Sequence, residues 1–155
     1  MPIPDFILRL REKIGHDPLW LAGVTAVVVR DAEVLLVKRS DNGRWTPVTG
    51  IMDPGELPTT AALREVLEET GVTCELGSLV TFGVTPPVVH VNGDQAQYLE
   101  IVFRCPYVSG FAHPADDESS DVAWFPLDAL PPMTERFRAM VLQAARHRGE
   151  PILAV

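Results

Sequence analysis

Apolar and polar positions along this chain follow two periods, and the switches between them mark the elements. Phe6, Ile7, Leu10 and Ile14 recur near helical spacing, and Gly15 with Pro18 closes the segment, which predicts a short amphipathic helix over Asp5–Ile14. A β-branched run covers 23–30, and after a turn at Asp31 and Ala32 another covers Glu33–Arg39. Both read as strands of a hairpin or as neighbours in one sheet. Residues 40–44 form a polar turn, 45–53 read as extended, and Pro54-Gly55 marks another turn.

A second helix is predicted over Pro58–Thr70. Proline suits the first helical position because its missing N–H would be unpaired there anyway, and Gly71 suits a left-handed stop. At 100° per residue, Leu63, Val66, Leu67 and Thr70 share one side and Arg64, Glu65, Glu68 and Glu69 the other. The expectation is that the apolar side packs and the acidic side stays free. Segments 75–91 and 95–107 read as an antiparallel pair, with Asn92-Gly93 supplying the positive φ angles of a tight turn. A loop rich in Asp, Pro and Ser at 110–120 leads to a short strand at 121–126. After Pro131-Pro132, the residues Phe137, Met140, Val141 and Ala144 trace the stripe of a C-terminal helix. Strands dominate the middle while helices stand singly, which favours an α/β or α+β sandwich with a mixed sheet over a repeated βαβ layout.

Length and composition narrow the function. The 155 residues suit a single domain spanning 1–155, with 1–20 as an N-terminal helical extension. Apolar runs such as 24–29 fall far short of the about 18 residues a membrane helix needs. Asp5, Arg9, Arg11, Glu12 and Lys13 break up any signal-peptide core, so a cytoplasmic location is expected. Cys74 and Cys105 lack metal-ligand or redox spacing and read as free thiols. With 21 acidic and 13 basic residues the net charge is -8, which argues against a nucleic acid polymer as partner. An anionic substrate would need metal ions as a bridge.

Glu65 precedes Glu68 and Glu69 by three and four residues, placing three carboxylates in one patch with Cβ separations of about 5–6 Å. At an effective dielectric near 20 each pair repels by roughly 3 kcal/mol. Arg64 can neutralise or orient one carboxylate but not all. Glu68 and Glu69 also lie at the helix C-terminus, where the macrodipole disfavours acids. A bound Mg²⁺ or Mn²⁺ would relieve both conflicts, because clustered carboxylates are hard oxygen ligands. A solvated acidic helix face is the other reading of the helix taken alone.

From Gly50 the sequence runs Gly50-Ile-Met-Asp-Pro-Gly-Glu56, then seven residues, then Arg64-Glu65-Val66-Leu67-Glu68-Glu69-Thr70-Gly71-Val72. It resembles the Nudix box, GX5EX7REUXEEXGU with U aliphatic, and every specified position matches. The fixed positions would coincide by chance on the order of once in 10⁸ to 10⁹ starts. The strand order around the box also resembles the Nudix fold, an α/β/α sandwich with a mixed sheet, from about Gly23 through the C-terminal helix.

The resemblance implies hydrolysis of a nucleoside diphosphate derivative by attack of water on phosphorus, usually with Mg²⁺. Glu65, Glu68 and Glu69 would then bind metal, with the Thr49 carbonyl as a further ligand, and Arg64 and Glu56 would orient the helix and loop. Many members have Gly-Gly where this chain has Thr49-Gly50, and Thr restricts the backbone there. Arg39 falls where similar proteins place a phosphate-contacting Arg, and it also suits a solvated strand end. Glu118, in the acid-rich loop with Asp116 and Asp117, falls where related hydrolases carry a carboxylate that binds metal or acts as base.

Trp45, Trp124 and Phe82 suit a core better than base stacking, and His16, His90, His113 and His147 read as surface residues. A (d)NTP-type small-molecule substrate, as in MutT-like members, is favoured over ADP-ribose or a nucleotide sugar. A non-catalytic nucleotide-sensing domain is the reading from another class, and the intact carboxylate set argues against it. Apolar stripe on both terminal helices suggests a homodimer.

Overall fold

A computed structural model of the chain describes residues 3–153. Its elements are α1 (Asp5–Ile14), β1 (Leu19–Arg30), β2 (Glu33–Arg39), β3 (Trp45–Thr46), β4 (Val48–Ile51), α2 (Pro58–Thr70), β5 (Thr73–Cys74), β6 (Ser78–Val84), β7 (Val88–Val89), β8 (Gln95–Ser109), β9 (Ser119–Pro126), α3 (Glu135–Arg146) and β10 (Ile152–Leu153). All three helices and the order of the main strands follow the sequence expectation.

The sheet is mixed because its two longest strands run parallel. β1 pairs with β8 from Leu19↔Ala96 to Val29↔Pro106. The other edge of β1 is divided: Gly23 to Ala26 pair antiparallel with β4, and only Val29 and Arg30 pair with β2. The expected β1–β2 hairpin therefore exists but opens at once, and β2 spends most of its length against β9. β1 also begins at Leu19, earlier than expected, because its first residues find backbone partners on β8 that β2 could not supply.

Alternation along β1 and β8 sorts the core into two faces. Val24, Ala26, Val28, Phe103 and Cys105 turn toward Ala61, Ala62 and Val66 of α2. Val27, Val29 and Val102 turn the other way, toward Val141 and Ala144 of α3, and Leu21 and Ala96 on that same side meet Ile7 of α1. The result is the expected α/β/α sandwich, with α2 on one face and α1 and α3 on the other. The stripe of α3 and Ile7 of α1 are thus spent on the sheet, while Leu8 and Leu10 of α1 stay exposed.

Three further expectations change, and one short strand was not foreseen. Among the positive-φ residues Gly93 appears but Asn92 does not. Asn92 instead accepts from the Asp94 amide through its side chain, so the turn is a longer loop closed from His90 to Asp94. His147 is buried, bonded to the Ser78 hydroxyl and the Glu150 carbonyl, and not at the surface. Phe82 is exposed, while Trp45 and Trp124 pack against the core as expected. β10 has only two residues and no periodicity to betray it, and it pairs parallel with β6. Cys74 and Cys105 are buried and free, as expected.

Candidate active site

α2 buries a different face from the one its apolar residues suggest. Its buried positions are Ala61, Ala62, Glu65, Val66, Glu69 and Thr70, while Leu67 is 53% exposed. Small residues at 61 and 62 let the helix approach the sheet closely, and the approach carries Glu65 and Glu69 inside with it. Glu65 is 1% and Glu69 4% exposed, whereas Glu68 stays at the surface. The acidic side is therefore not free, and two of its three carboxylates are core groups.

Gly50 on β4 makes room for one of them. A Cβ at that position would fall inside van der Waals contact of the Glu65 carboxylate carbon, Cγ and Oε1. The glycine opening the box is thus a packing requirement of Glu65. Thr49, its neighbour on β4, pairs with Thr25 of β1, so the strand carrying the Thr49 carbonyl runs alongside the buried carboxylate.

Arg64 ties loop to helix. Its Nε and Nη2 donate to the two Glu56 oxygens at 2.8 and 2.9 Å, and its Nη1 donates to Glu65 Oε1 at 2.7 Å and Glu68 Oε2 at 3.1 Å. Glu56 also accepts from the Asp53 amide, closing the turn that carries Gly55 at positive φ. This fork holds the Glu56 carboxyl below the usual range and pushes the guanidinium up. Glu56 and Arg64 thus join the box loop to α2.

One oxygen is left over. Glu65 Oε2 is buried without a hydrogen-bond partner, a situation that costs several kcal/mol unless a proton or cation arrives. Burial pushes the Glu65 carboxyl up to about 7, against the pull of Arg64. Glu69 is pushed up to about 8, first by burial and then by the charges of Glu65 and Asp116, with Arg39 opposing. Among the described residues no three His, Cys, Asp or Glu side chains converge as a ready cation cage. Arg64 engages Glu65 and Glu68 instead. The donor set nevertheless fits a divalent cation: hard oxygens, one of them buried and unpaired, beside a second buried carboxylate that both charge and helix position disfavour.

The acid-rich loop lies on the end of α2. The Ala115 and His113 amides donate to the Glu69 and Thr70 carbonyls, satisfying groups that the helix end leaves open. The loop acid whose charge bears on Glu69 is Asp116, which the sequence did not single out from its neighbours. Glu118, the residue chosen there, is anchored by its backbone: its amide donates to Asp116 Oδ1 and its carbonyl accepts from the Ser40 amide. The contact of 110–118 with a helix forty residues earlier left no signal in local pattern.

Arg39 sits where the β2–β9 register shifts, an irregularity that re-aims a side chain. Its guanidinium forks onto Asp41 at 3.0 and 2.9 Å, and it feels the charge of Glu69. A concavity of about 470 Å³ opens on the far side of α2 between Leu63, Leu67, Cys74 and Leu76. Arg64 reaches it, but none of Glu65, Glu68 or Glu69 lines it.

A three-layer α/β/α fold with a box loop and a carboxylate helix against a mixed sheet defines a Nudix-type protein. The comparisons agree. A family model for the NUDIX domain matches residues 20–144, and the chain belongs to the Nudix hydrolase family. It is 34% identical to a MutT-like protein of Streptomyces ambofaciens over 89% of this chain and 85% of that one. It is 36% identical to the NAD-capped RNA hydrolase NudC of Pseudomonas aeruginosa over 82% of this chain, although it spans only 46% of that protein. A crystal structure of a UDP-X diphosphatase superposes with a TM-score of 0.69 at 24% identity, covering 97% of this chain and 74% of the other. That likeness speaks to the fold. Among the described residues no helix is long and apolar enough to cross a membrane.

Proposed function

We propose that this chain is a Mg²⁺- or Mn²⁺-dependent pyrophosphohydrolase that cleaves the diphosphate linkage of a small nucleotide of the (d)NTP type, as a single cytoplasmic domain. The carrying observation is the buried, unpartnered Glu65 Oε2 beside buried Glu69. An enzyme that did not bind a cation there would hold this arrangement at a cost and gain nothing.

Glu65, Glu68 and Glu69, with the Thr49 carbonyl, are the residues to hold the metal. Bound there, the cation would neutralise charge on the phosphate oxygens and acidify water. Arg64 and Glu56 fix the angle between box loop and helix, so that Glu65 keeps one oxygen on Arg64 and presents the other. Gly50 keeps the space that Glu65 fills. Arg39 supplies a cation for a phosphate oxygen once it is exchanged from Asp41. Glu118 is the proposed loop base, and Asp116 joins it as a candidate because its charge already acts on Glu69.

The MutT-like relative, aligned over most of both chains, favours a (d)NTP-type substrate. A phosphate-release screen across nucleoside triphosphates, ADP-ribose and nucleotide sugars, with and without Mg²⁺, tests this. Turnover of (d)NTPs that vanishes in EDTA is the expected result. Preference for ADP-ribose or a nucleotide sugar replaces the substrate assignment, and no turnover of any compound makes the chain a nucleotide-sensing domain. A homodimer through the outer face of α1, where Leu8 and Leu10 stay exposed, is proposed as well. Light scattering at 17.0 kDa in concentrated solution rejects it.

A further inference from the structure

The fold brings together two cysteines that lie far apart in the sequence. Cys74, in the two-residue strand β5, pairs with Tyr107 of β8, and Cys105 lies two residues along β8 on the same face as Tyr107. The ladder is irregular between Thr73 and Cys74, a feature that bends the strand it interrupts. Both side chains join the core cluster beneath α2, Cys105 fully buried and Cys74 8% exposed. Their thiols are in contact, with the Cys105 S–H donating to Cys74 Sγ.

The two sulfurs differ in access. Cys74 lines the concavity of about 470 Å³ on the outer side of α2, beside Leu63, Leu67 and Leu76, whereas Cys105 does not line it. No carboxylate stands among the lining residues. A chain of net charge -8 repels anionic thiol reagents at a distance, and a small neutral oxidant meets no such barrier.

They differ in ionisation as well. The S–H of Cys105 holds the Cys74 thiol below its ordinary value, although burial opposes it. Cys105 is pushed up, first by the bond it donates to Cys74 and then by burial. Cys74 is therefore the sulfur that ionises, and Cys105 the one that keeps its proton. A thiolate is the form of cysteine that attacks an oxidant, and a second thiol in contact with it completes a disulfide.

We propose that Cys74 is a site of reversible oxidation by a small hydroperoxide, and that Cys105 resolves the product to a Cys74–Cys105 disulfide. The Cys74 thiolate attacks one peroxide oxygen and the O–O bond breaks. The departing oxygen takes up the proton that Cys74 released and leaves as water or an alcohol, with Cys74 now a sulfenic acid. The Cys105 sulfur then attacks the Cys74 sulfur, its proton leaves with the hydroxide as water, and an S–S bond joins β5 to β8. The two sulfurs give up two electrons in all, and the hydroperoxide accepts them. The contact must shorten to about 2.05 Å, and β5, with two residues in the ladder, is the strand that yields.

The test treats the full reduced chain with hydrogen peroxide, alkylates the remaining thiols in denaturant, and reads the product by intact mass and peptide mapping. The expected product has lost two hydrogens, takes no alkyl label, and yields one pair of peptides joined through Cys74 and Cys105. Dithiothreitol should return it to two labelled thiols. Brief treatment of the folded, reduced chain with iodoacetamide should label Cys74 before Cys105. Cys105→Ala should stop at the Cys74 sulfenic acid, which dimedone captures, and Cys74→Ala should leave Cys105 a thiol at the same dose. Two labelled thiols in the parent after a peroxide dose that oxidises free dithiothreitol would overturn the proposal. So would sulfinic acid without a disulfide, a bond between two chains, or labelling of Cys105 first. These outcomes are read on the parent chain, whether or not either variant folds.

Discussion

Replacing Glu69 with glutamine keeps the shape of a side chain that is 4% exposed and removes the charge it carries when ionised. Its carboxyl is pushed up to about 8 from an ordinary 4.5, first by burial and then by Glu65 and Asp116. The sign follows from proton counting. Between pH 4.5 and 8 the folded state keeps a proton that the unfolded state has lost, so stability falls as pH rises through that window. The slope is about 1.4 kcal/mol per pH unit, and the glutamine variant does not share it. The metal-free variant should therefore match the parent near pH 4, exceed it by about 2 kcal/mol at pH 6, and exceed it by roughly 5 kcal/mol above pH 8. Urea unfolding in EDTA at pH 4.5, 6, 7 and 8.5 reads this directly. Glu75→Gln, at an exposed acid just past α2, is the control and should stay within about 0.5 kcal/mol throughout. In the same samples with Mg²⁺ restored, Glu69→Gln should lose turnover by at least about 10²-fold, with Glu75→Gln near normal. A gap between variant and parent that does not change with pH would show that Glu69 is not a strained buried acid. A variant that cannot fold without metal would make the residue structural.

Gly50→Ala should cost both stability and activity, since its methyl group meets the Glu65 carboxylate, and thermal melting with a turnover assay checks both. Arg64→Lys keeps the charge but cannot fork onto Glu56 while also holding Glu65, so turnover should fall about 10–100-fold with the fold retained by circular dichroism. Millimolar Mg²⁺ should raise the thermal midpoint of the parent and do so less for Glu69→Gln, because a cation bound only by the folded state stabilises it by mass action. An unmoved midpoint in both would count against a site at Glu65 and Glu69.

Spacing alone determined that Glu65, Glu68 and Glu69 share a patch, that Arg64 sits one turn before Glu68, and that Pro58 and Gly71 bound the helix. These are local consequences of helical geometry, and the box starting at Gly50 carried the family with them. The main strands were equally legible, because β-branched runs and turn residues act over a few positions, whereas the two-residue β10 was not. What the wheel could not decide is which face of α2 the sheet takes. That depends on how closely Ala61 and Ala62 let the helix approach and on the space Gly50 leaves for Glu65, and it put Leu67 outside and two glutamates inside. The same holds for Arg39 engaged by Asp41, for Asp116 brought against Glu69, for His147 closed in by Ser78, and for α1 walled onto β8. Each joins residues through packing and not through spacing, and only the tertiary structure brings them within a few ångströms of one another.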